Sequence, residues 1–386
     1  MTAAVYTNNE KVGASSSVVR RILLVAPSPP PYGGMALQAR LLEKLLQADG
    51  VSVAFFPSNF PFPRWFGPVS RVPGLRTLLR FAMIWVKLCR AIRQVEVIHV
   101  LAASWLYFFL TVGPAVLMGR ILRKRVVLNY RGGEANDFFR RYRRFVTPVF
   151  KLADVITVPS AFLAEAIWNH LALPVVIVPN ILDFSVFKFR ERRTFHPKLL
   201  VTRHLEKIYD VESVLKAFKI VQETYPESSL WIAGSGSEEA VLRSLVSQWR
   251  LQNVTFLGHV AHSDLPGIYD QCDILLNGSR VDNFPGALLE ASAAGLVVVS
   301  TNAGGIPFIY KNGKDAMLVS PGDWEGLGRA VQKVLLDSAL ASDLTRAAAA
   351  VARNCEWTEV RKRLYTVCGF PCPERMNVGV MKCIVG

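Results

Sequence analysis

The residues best suited to chemistry cluster between Asn277 and Pro307, in the run NGSRVDNFPGALLEASAAGLVVVSTNAGGIP. Two carboxylates, Asp282 and Glu290, stand eight positions apart around Asn283, Phe284, Pro285 and Gly286. Pro285 suits the first turn of a helix, where a missing N–H leaves nothing unsatisfied. Asp282 or Asn283 can accept from the free amides at that point. The following ALLEASAA predicts a helix that stops at Gly295. Its unpaired N–H groups and the positive end of its dipole favour an anion such as phosphate. Glu290 lies five residues past Pro285, about 7–8 Å along the axis at about 1.5 Å per residue. A carboxylate there can take two hydrogen bonds from a ribose diol while phosphates lie nearer the helix start. The plainer alternative is a capping Asp282 and a solvated Glu290.

Other segments offer groups of matching chemistry. Gly304 and Gly305 in NAGGIP permit positive φ and let backbone amides approach a ligand closely. Arg203 closes the apolar run LLVTR, and its guanidinium offers a fixed charge and a planar fork of donors that suit phosphate. Lys207 follows four residues later. Gly33 and Gly34 lie in the turn PYGGM, between a predicted strand and a predicted helix. Arg131 opens a second glycine turn, Arg131-Gly132-Gly133-Glu134. Taken singly, each reads equally well as a plain turn or a surface cation. No Asp-x-Asp pair and no metal-type spacing of Cys or His occurs, so no metal and no resident cofactor are expected.

Twelve short apolar runs must position these groups. Six lie at 21–27, 51–57, 95–101, 125–130, 154–160 and 175–180. Six more lie at 198–205, 229–236, 253–260, 273–280, 296–305 and 316–321. They are rich in Val, Ile and Leu and do not alternate with polar residues, which marks strands covered on both faces, hence parallel sheets. Helical stretches such as Met35–Ala48, Leu75–Arg93 and Ala161–Asn169 fall between them. The two sets imply two Rossmann-like, doubly wound α/β domains, with ligands at the carboxyl ends of the strands and in the cleft between the domains. We expect a tail over 1–18, a first domain over 19–187, a charged linker over 188–197, a second domain over 198–368 and a tail over 369–386.

The charge is divided unevenly. Residues 1–190 hold 24 Lys/Arg and 9 Asp/Glu, whereas residues 191–386 hold 21 of each, so the whole net charge of +15 resides in the first half. A basic first half predicts an anionic partner. Nucleic acid is disfavoured, because no binding module appears and aromatics are not interleaved with the basic residues. An anionic membrane surface or a phosphorylated acceptor fits better. Six cysteines without a metal or disulfide framework suit a reducing cytosol. The first 18 residues lack the apolar core of a secretory signal. The uncharged stretch 101–118 is about long enough to span a bilayer. Gly113, Pro114 and the preceding strand favour instead a buried or interfacial helix, with Tyr107, Phe108 and Phe109 placed to touch lipid.

The segment DNFPGALLEA resembles the signature of the family 4 glycosyltransferases, and the resemblance extends over about residues 20–368. It implies the GT-B arrangement of two facing domains and transfer of a sugar, with retention of configuration, from a UDP- or GDP-linked donor. The acceptor classes it leaves open are a lipid-linked oligosaccharide, a polysaccharide or other glycan, and a small metabolite. It assigns Glu290 to the donor ribose and Asp282, where the family usually has Glu, to the donor sugar. Arg203 and Lys207 fall on the diphosphate. Asn283, Phe284, Pro285, Gly286, Gly304 and Gly305 line the donor, Gly258 and Val260 the base, and Gly33 and Gly34 the facing loop. Arg131 stands where many members carry a His beside the reacting sugar. A peripheral position at the cytoplasmic face of the inner membrane follows. Two other readings are a GT-B-shaped binding or regulatory protein without catalysis and an NAD(P)-dependent oxidoreductase. Against the latter, Gly234 and Gly236 lack the third glycine of the dinucleotide fingerprint, which falls at Glu239.

Overall fold

The computed structural model describes residues 20–29, 33–59 and 85–371. The expected tail over 1–18, residues 372–386 of the second tail, Pro31, Tyr32 and residues 75–84 of the predicted helix Leu75–Arg93 lie outside that range; residues 85–93 are helical. All twelve apolar runs form strands, arranged in two six-stranded parallel sheets. The first contains β1 (Arg21–Ala26), β2 (Ser52–Pro57), β3 (Val97–Ala102), β4 (Arg125–Tyr130), β5 (Val155–Val158) and β6 (Val176–Ile177), in the order β2-β1-β3-β4-β5-β6. The second contains β7 (Lys198–Thr202), β8 (Ser229–Ala233), β9 (Val254–Gly258), β10 (Ile274–Asn277), β11 (Val297–Thr301) and β12 (Met317–Val319), in the order β12-β11-β10-β7-β8-β9. Helices cover both faces, and β3, β10 and β11 are buried along their whole length. In the second sheet the chain winds outward from β7 through β9, then returns to β10 on the other side of β7. The carboxyl ends of β7 and β10 therefore flank a switch point, where helices diverge and leave a crevice.

The segment expected to be a linker is anchored. Arg192 is buried, and its guanidinium donates to Asp273 Oδ1 (2.8 Å), to the carbonyls of Ala294 (2.9 Å) and Gly295 (2.8 Å), and to those of Tyr269 (3.1 Å) and Cys272 (2.7 Å). These carbonyls close the helices Leu265–Gln271 and Gly286–Ala294, whose last turns lack amide partners and carry partial negative charge. Asp273 also accepts from Arg190 (3.0 Å) and from the amide of His196 (2.8 Å). The stretch from Arg190 to His196 thus belongs to the second unit. Gly295 adopts φ +81°, and a Cβ there would approach the Arg190 carbonyl to 2.5 Å.

Two sequence expectations need correction. The helix Trp357–Cys368, placed in the second domain by chain order, crosses back to the first sheet. Its Val360, Leu364 and Cys368 pack with Ile22, Leu24, Val97 and Val127, and Tyr365 donates to Asp49 (3.0 Å). The apolar spacing announces the helix but not the sheet it covers. The crossing runs beside the connector, where the Leu182 amide bonds the Cys355 carbonyl (2.8 Å). The stretch 101–118 completes β3 and then turns into helix, including a π-helical turn at Phe108–Val112. Phe108, expected at lipid, is fully buried: it stacks on Phe150 (5.7 Å) and meets Phe138 edge-on (5.4 Å). Phe109 and Tyr107 are half-buried, and the exposed apolar residues of the stretch are Leu106 and Leu117. No helix among the described residues is long and apolar enough to cross a membrane.

Arg192→Ala leaves four helix-end carbonyls without their donor and Asp273 short of its buried partner. We expect a loss of about 3–5 kcal/mol, seen as a lower thermal midpoint. A midpoint within a degree of wild type would remove the anchoring role.

Candidate active site

The floor of the crevice is built at the ends of β7 and β10. Arg203 directly follows β7, and its backbone amide bonds Ala233 O (3.1 Å), which orients the side chain toward β10. There Nε donates to Asn277 Oδ1 (3.1 Å), and Nη2 pairs with Asp282 Oδ2. Only 13% of the Arg203 side chain and 8% of the Asp282 side chain meet solvent, so each charge relies on the other. Asn277 is itself fixed, donating to Ser300 Oγ (2.9 Å) and accepting from Ser279 Oγ (2.8 Å). The Arg203 guanidinium also lies over the Tyr209 ring at 5.2 Å.

Asp282 is positioned by its own loop. Its Oδ1 accepts from the Phe284 amide (3.2 Å), and its carbonyl accepts from the Gly305 amide (2.6 Å). A side chain at Gly304 would collide with the Asp282 backbone, and one at Gly305 with that of Asn283. These glycines therefore let two loops touch, and the Gly305 amide is committed to Asp282. Sequence reasoning assigned them to approach of a ligand instead. Phe284 packs into the second core and Pro285 is buried as the residue that opens helix Gly286–Ala294; that helix ends at Gly295 as predicted. Gly286 is its first residue, with open space where a Cβ would stand.

Glu290 is held along the same helix. Its Oε2 accepts from the Tyr269 hydroxyl (2.9 Å), and its Oε1 lies 3.4 Å from His262 Nε2. Tyr269 is fully buried and also lies 2.9 Å from Thr202 Oγ1, in the residue before Arg203. Burial raises the Tyr269 hydroxyl well above its ordinary pKa, so it stays a donor. The hydrogen bond to Glu290 raises the His262 pKa above its ordinary value, and His262 packs edge-on to Phe187 (5.6 Å). Glu290 is thus linked through Tyr269 and Thr202 to the end of β7 that carries Arg203. Sequence reasoning missed Tyr269, Thr202, Asn277 and His262. A fully buried tyrosine must find a hydrogen-bond partner, but burial of Tyr269 shows only in the packed structure.

The remaining predicted residues lie around this set. Lys207 is exposed and opens a single 3₁₀ turn, Lys207–Tyr209. Gly258 ends β9 with φ +67°, and its carbonyl accepts from the Gly234 amide (2.8 Å); Val260 is half-buried two residues on. Gly33 and Gly34 are exposed at the start of helix Gly34–Ala48, and a Cβ at either meets nothing within 4 Å.

Across the crevice, Asn283 Nδ2 donates to Gly132 O (3.3 Å), and Phe162 faces Phe308 at 6.1 Å. The second glycine turn of the first unit therefore touches the loop that carries Asp282. Arg131 turns toward its own unit, where Nη2 bonds Asn180 Oδ1. Burial lowers its pKa to about 10, which leaves it cationic at neutral pH. Asn180, just after β6, is the hydrogen-bond partner of that charge. Among the described residues no group of three or more His, Cys, Asp or Glu side chains is placed to hold a metal ion.

Comparison with known proteins agrees with this fold. Residues 32–186 match the model for Glycosyltransferase Family 4, and residues 186–351 that for Glycosyl transferases group 1. The fold is shared with Anabaena HepE, solved in complex with UDP and glucose (TM-score 0.66, 17% identity, 90% of this chain and 99% of that one). It is shared too with sucrose-phosphate synthase of Thermosynechococcus elongatus (TM-score 0.67, 18% identity, 90% and 98%). Glycogen synthase of Mycobacterium tuberculosis is 32% identical over 177 residues, 45% of this chain and 43% of that protein. Mannosylfructose-phosphate synthase of Agrobacterium fabrum is 32% identical over 168 residues, 41% and 37%. The matched region spans less than half the length of these two relatives. Two parallel-sheet units facing across a crevice define the GT-B architecture. The chain belongs to the group 1, family 4 glycosyltransferases.

Tyr269→Phe removes the donor to Glu290 Oε2. We expect a loss of about 1 kcal/mol, roughly fivefold, in calorimetric affinity for the nucleotide, with little change in turnover at saturation. Unaltered affinity would mean that Tyr269 does not position Glu290.

Proposed function

We propose that this chain transfers a sugar from a nucleoside-diphosphate sugar, UDP- or GDP-linked, to a glycan or lipid-linked acceptor at the cytoplasmic membrane face, with retention of configuration. One observation carries the reading: Arg203, the start of helix Gly286–Ala294 and a fixed Glu290 share the switch-point crevice of the second sheet. A diphosphate at Arg203 and the helix start would exchange with Asp282 as the partner of the guanidinium. Released, the Asp282 carboxylate can accept from a hydroxyl of the donor sugar. Glu290, oriented by Tyr269, would accept from the ribose diol, with Gly258 and Val260 near the base and Lys207 within the same rim. Negative charge grows on the departing diphosphate, and a preorganised guanidinium stabilises it without reorganising. The acceptor hydroxyl approaches the face from which the diphosphate leaves. Arg131 stays paired with Asn180 inside the first unit and is not assigned to this step.

Arg203→Ala should lower turnover on the order of 10²-fold while raising KM less, because its charge matters most in the transition state. Glu290→Ala should weaken donor binding roughly 10–100-fold, as loss of hydrogen bonds to a charged acceptor does. Unchanged turnover in the first variant, with unchanged affinity in the second, would refute the assignment.

Protonation of His262 adds a pH dependence. Its raised pKa means the imidazolium–Glu290 pair stabilises the fold below about pH 6.5, the ordinary value, and that this contribution fades as pH rises through the folded value. A diol competes for the same carboxylate, so donor affinity moves the opposite way. From pH 8 to pH 6 we expect a several-fold loss of affinity for the intact sugar nucleotide, whose diphosphate takes up no proton there. In His262→Ala the dependence should flatten; persistence of the wild-type slope would exclude His262.

A further inference from the structure

We propose that the outer face of three helices of the first unit, at 85–93, Gly113–Ile121 and Ala135–Leu152, is a docking surface for an anionic lipid bilayer. The inner sides of all three enter one core through Leu88, Ile92, Val116, Phe138, Val146 and Phe150, so the helices form one layer on one face of the sheet. Their outer sides carry nine Lys/Arg, all exposed, against a single carboxylate, Asp137. Five of the nine, Arg140, Arg141, Arg143, Arg144 and Lys151, lie on the longest helix. Nine of the 24 Lys/Arg of residues 1–190, and one of their nine Asp/Glu, thus share this one surface.

Apolar side chains stand among these cations. Phe145 is 69% exposed directly after Arg143 and Arg144, and Ile121 is 62% exposed next to Arg120. Leu117, one turn before Ile121, is also exposed. A purely soluble surface gains nothing from such residues, whereas a bilayer surface takes both: lipid phosphates meet the guanidinium groups and the acyl boundary receives the apolar tips. Long arginine stems can bridge the two zones. At one end of the layer a cavity of about 440 Å³ is lined by Arg120, Arg123, Lys124, Arg125 and Asp154, with room for a phosphate headgroup. Arg120 already contacts Asp154 (3.4 Å), and the other three cations exceed that carboxylate. Single-stranded nucleic acid would require aromatic rings arranged for stacking, and Phe145 is the one aromatic residue exposed on the three helices.

The helix Ala135–Leu152 starts immediately after the turn that touches Asn283 across the crevice. A chain lying on its outer face would thus hold the crevice close to the bilayer, which suits a lipid-linked acceptor. The proposal deepens the transfer reading by naming its partner surface, but it stands on charge and exposure alone. Its test uses neither donor nor acceptor, so failure here leaves the transfer reading intact.

The test is co-sedimentation with vesicles of phosphatidylcholine containing about a third phosphatidylglycerol, compared with phosphatidylcholine alone. We expect binding to the anionic vesicles only, lost in 0.5 M salt as about 4 Å screening lengths cut the attraction. Arg143→Glu with Arg144→Glu should reduce binding at least ~20-fold, since each cation near such a surface counts for about fivefold. Phe145→Ser should reduce it several-fold at unchanged charge. Melting curves verify that the variants fold; if the double variant does not, the salt response of the wild type and the Phe145→Ser result decide. Equal binding to neutral vesicles, salt-insensitive binding, wild-type binding by the folded double variant, or displacement from vesicles by stoichiometric single-stranded RNA would each overturn the proposal.

Discussion

A guanidinium withdrawn from water at a strand end cannot remain without an anion beside it, and that constraint organises the crevice. Arg203 projects from β7 into a space that admits little solvent, and Asp282 answers its charge. Both are desolvated, so removal of either partner leaves a buried charge exposed to a low-dielectric surrounding. The diphosphate proposed to bind there would satisfy the same requirement. On that proposal the carboxylate keeps the guanidinium paired until the donor replaces it. One methylene fewer than Glu at position 282 brings the carboxyl close to its own backbone, where the Phe284 amide and the glycine loop at 304–305 fix it.

Helix Gly286–Ala294 connects that pair to the rest of the second unit. Its first turn follows the Asp282 loop, its side carries Glu290 against Tyr269, and its last carbonyls receive Arg192. The helix is therefore fixed at its beginning, middle and end by three different segments. The same guanidinium that closes this helix also closes the one that carries Tyr269. A buried arginine 79 positions before Gln271 in the chain thereby sets the relative placement of the two helices that carry Tyr269 and Glu290.

The parts legible in sequence were those governed by local physics. Unbroken Val/Ile/Leu runs announce strands covered on both faces, and every one of the twelve forms. Pro285 and Gly295 delimit their helix through backbone restrictions alone. Arg203 stands out because its charge closes a predicted strand, and Asp282 and Glu290 because they stand eight positions apart around a predicted helix start. The rest depends on contacts between distant segments. Nothing local distinguishes Arg192 in FKFRERRTFHP from its exposed neighbours, and that segment reads as loose until the helix ends it serves are known. Tyr269 resembles any aromatic on a short helix. Phe108 looks like part of an exposed aromatic trio until helix Ala135–Leu152 supplies the rings around it. The Gly304-Gly305 pair is visible, but its neighbour could not be known to be backbone.

The paired crossings between the units have a mechanical consequence. One segment leaves the first sheet near Leu182 and another returns near Cys355, and a hydrogen bond ties them side by side. Two parallel strips joined along an edge bend about the line that contains them and resist torsion about any other. The Arg192 cluster stiffens the outgoing strip beyond Arg190, and the packing of Val360 and Leu364 stiffens the returning one. What compliance exists lies in the few residues between those fixed points. Any hinge between the lobes is therefore confined to these two adjoining strips, both at the back of the crevice.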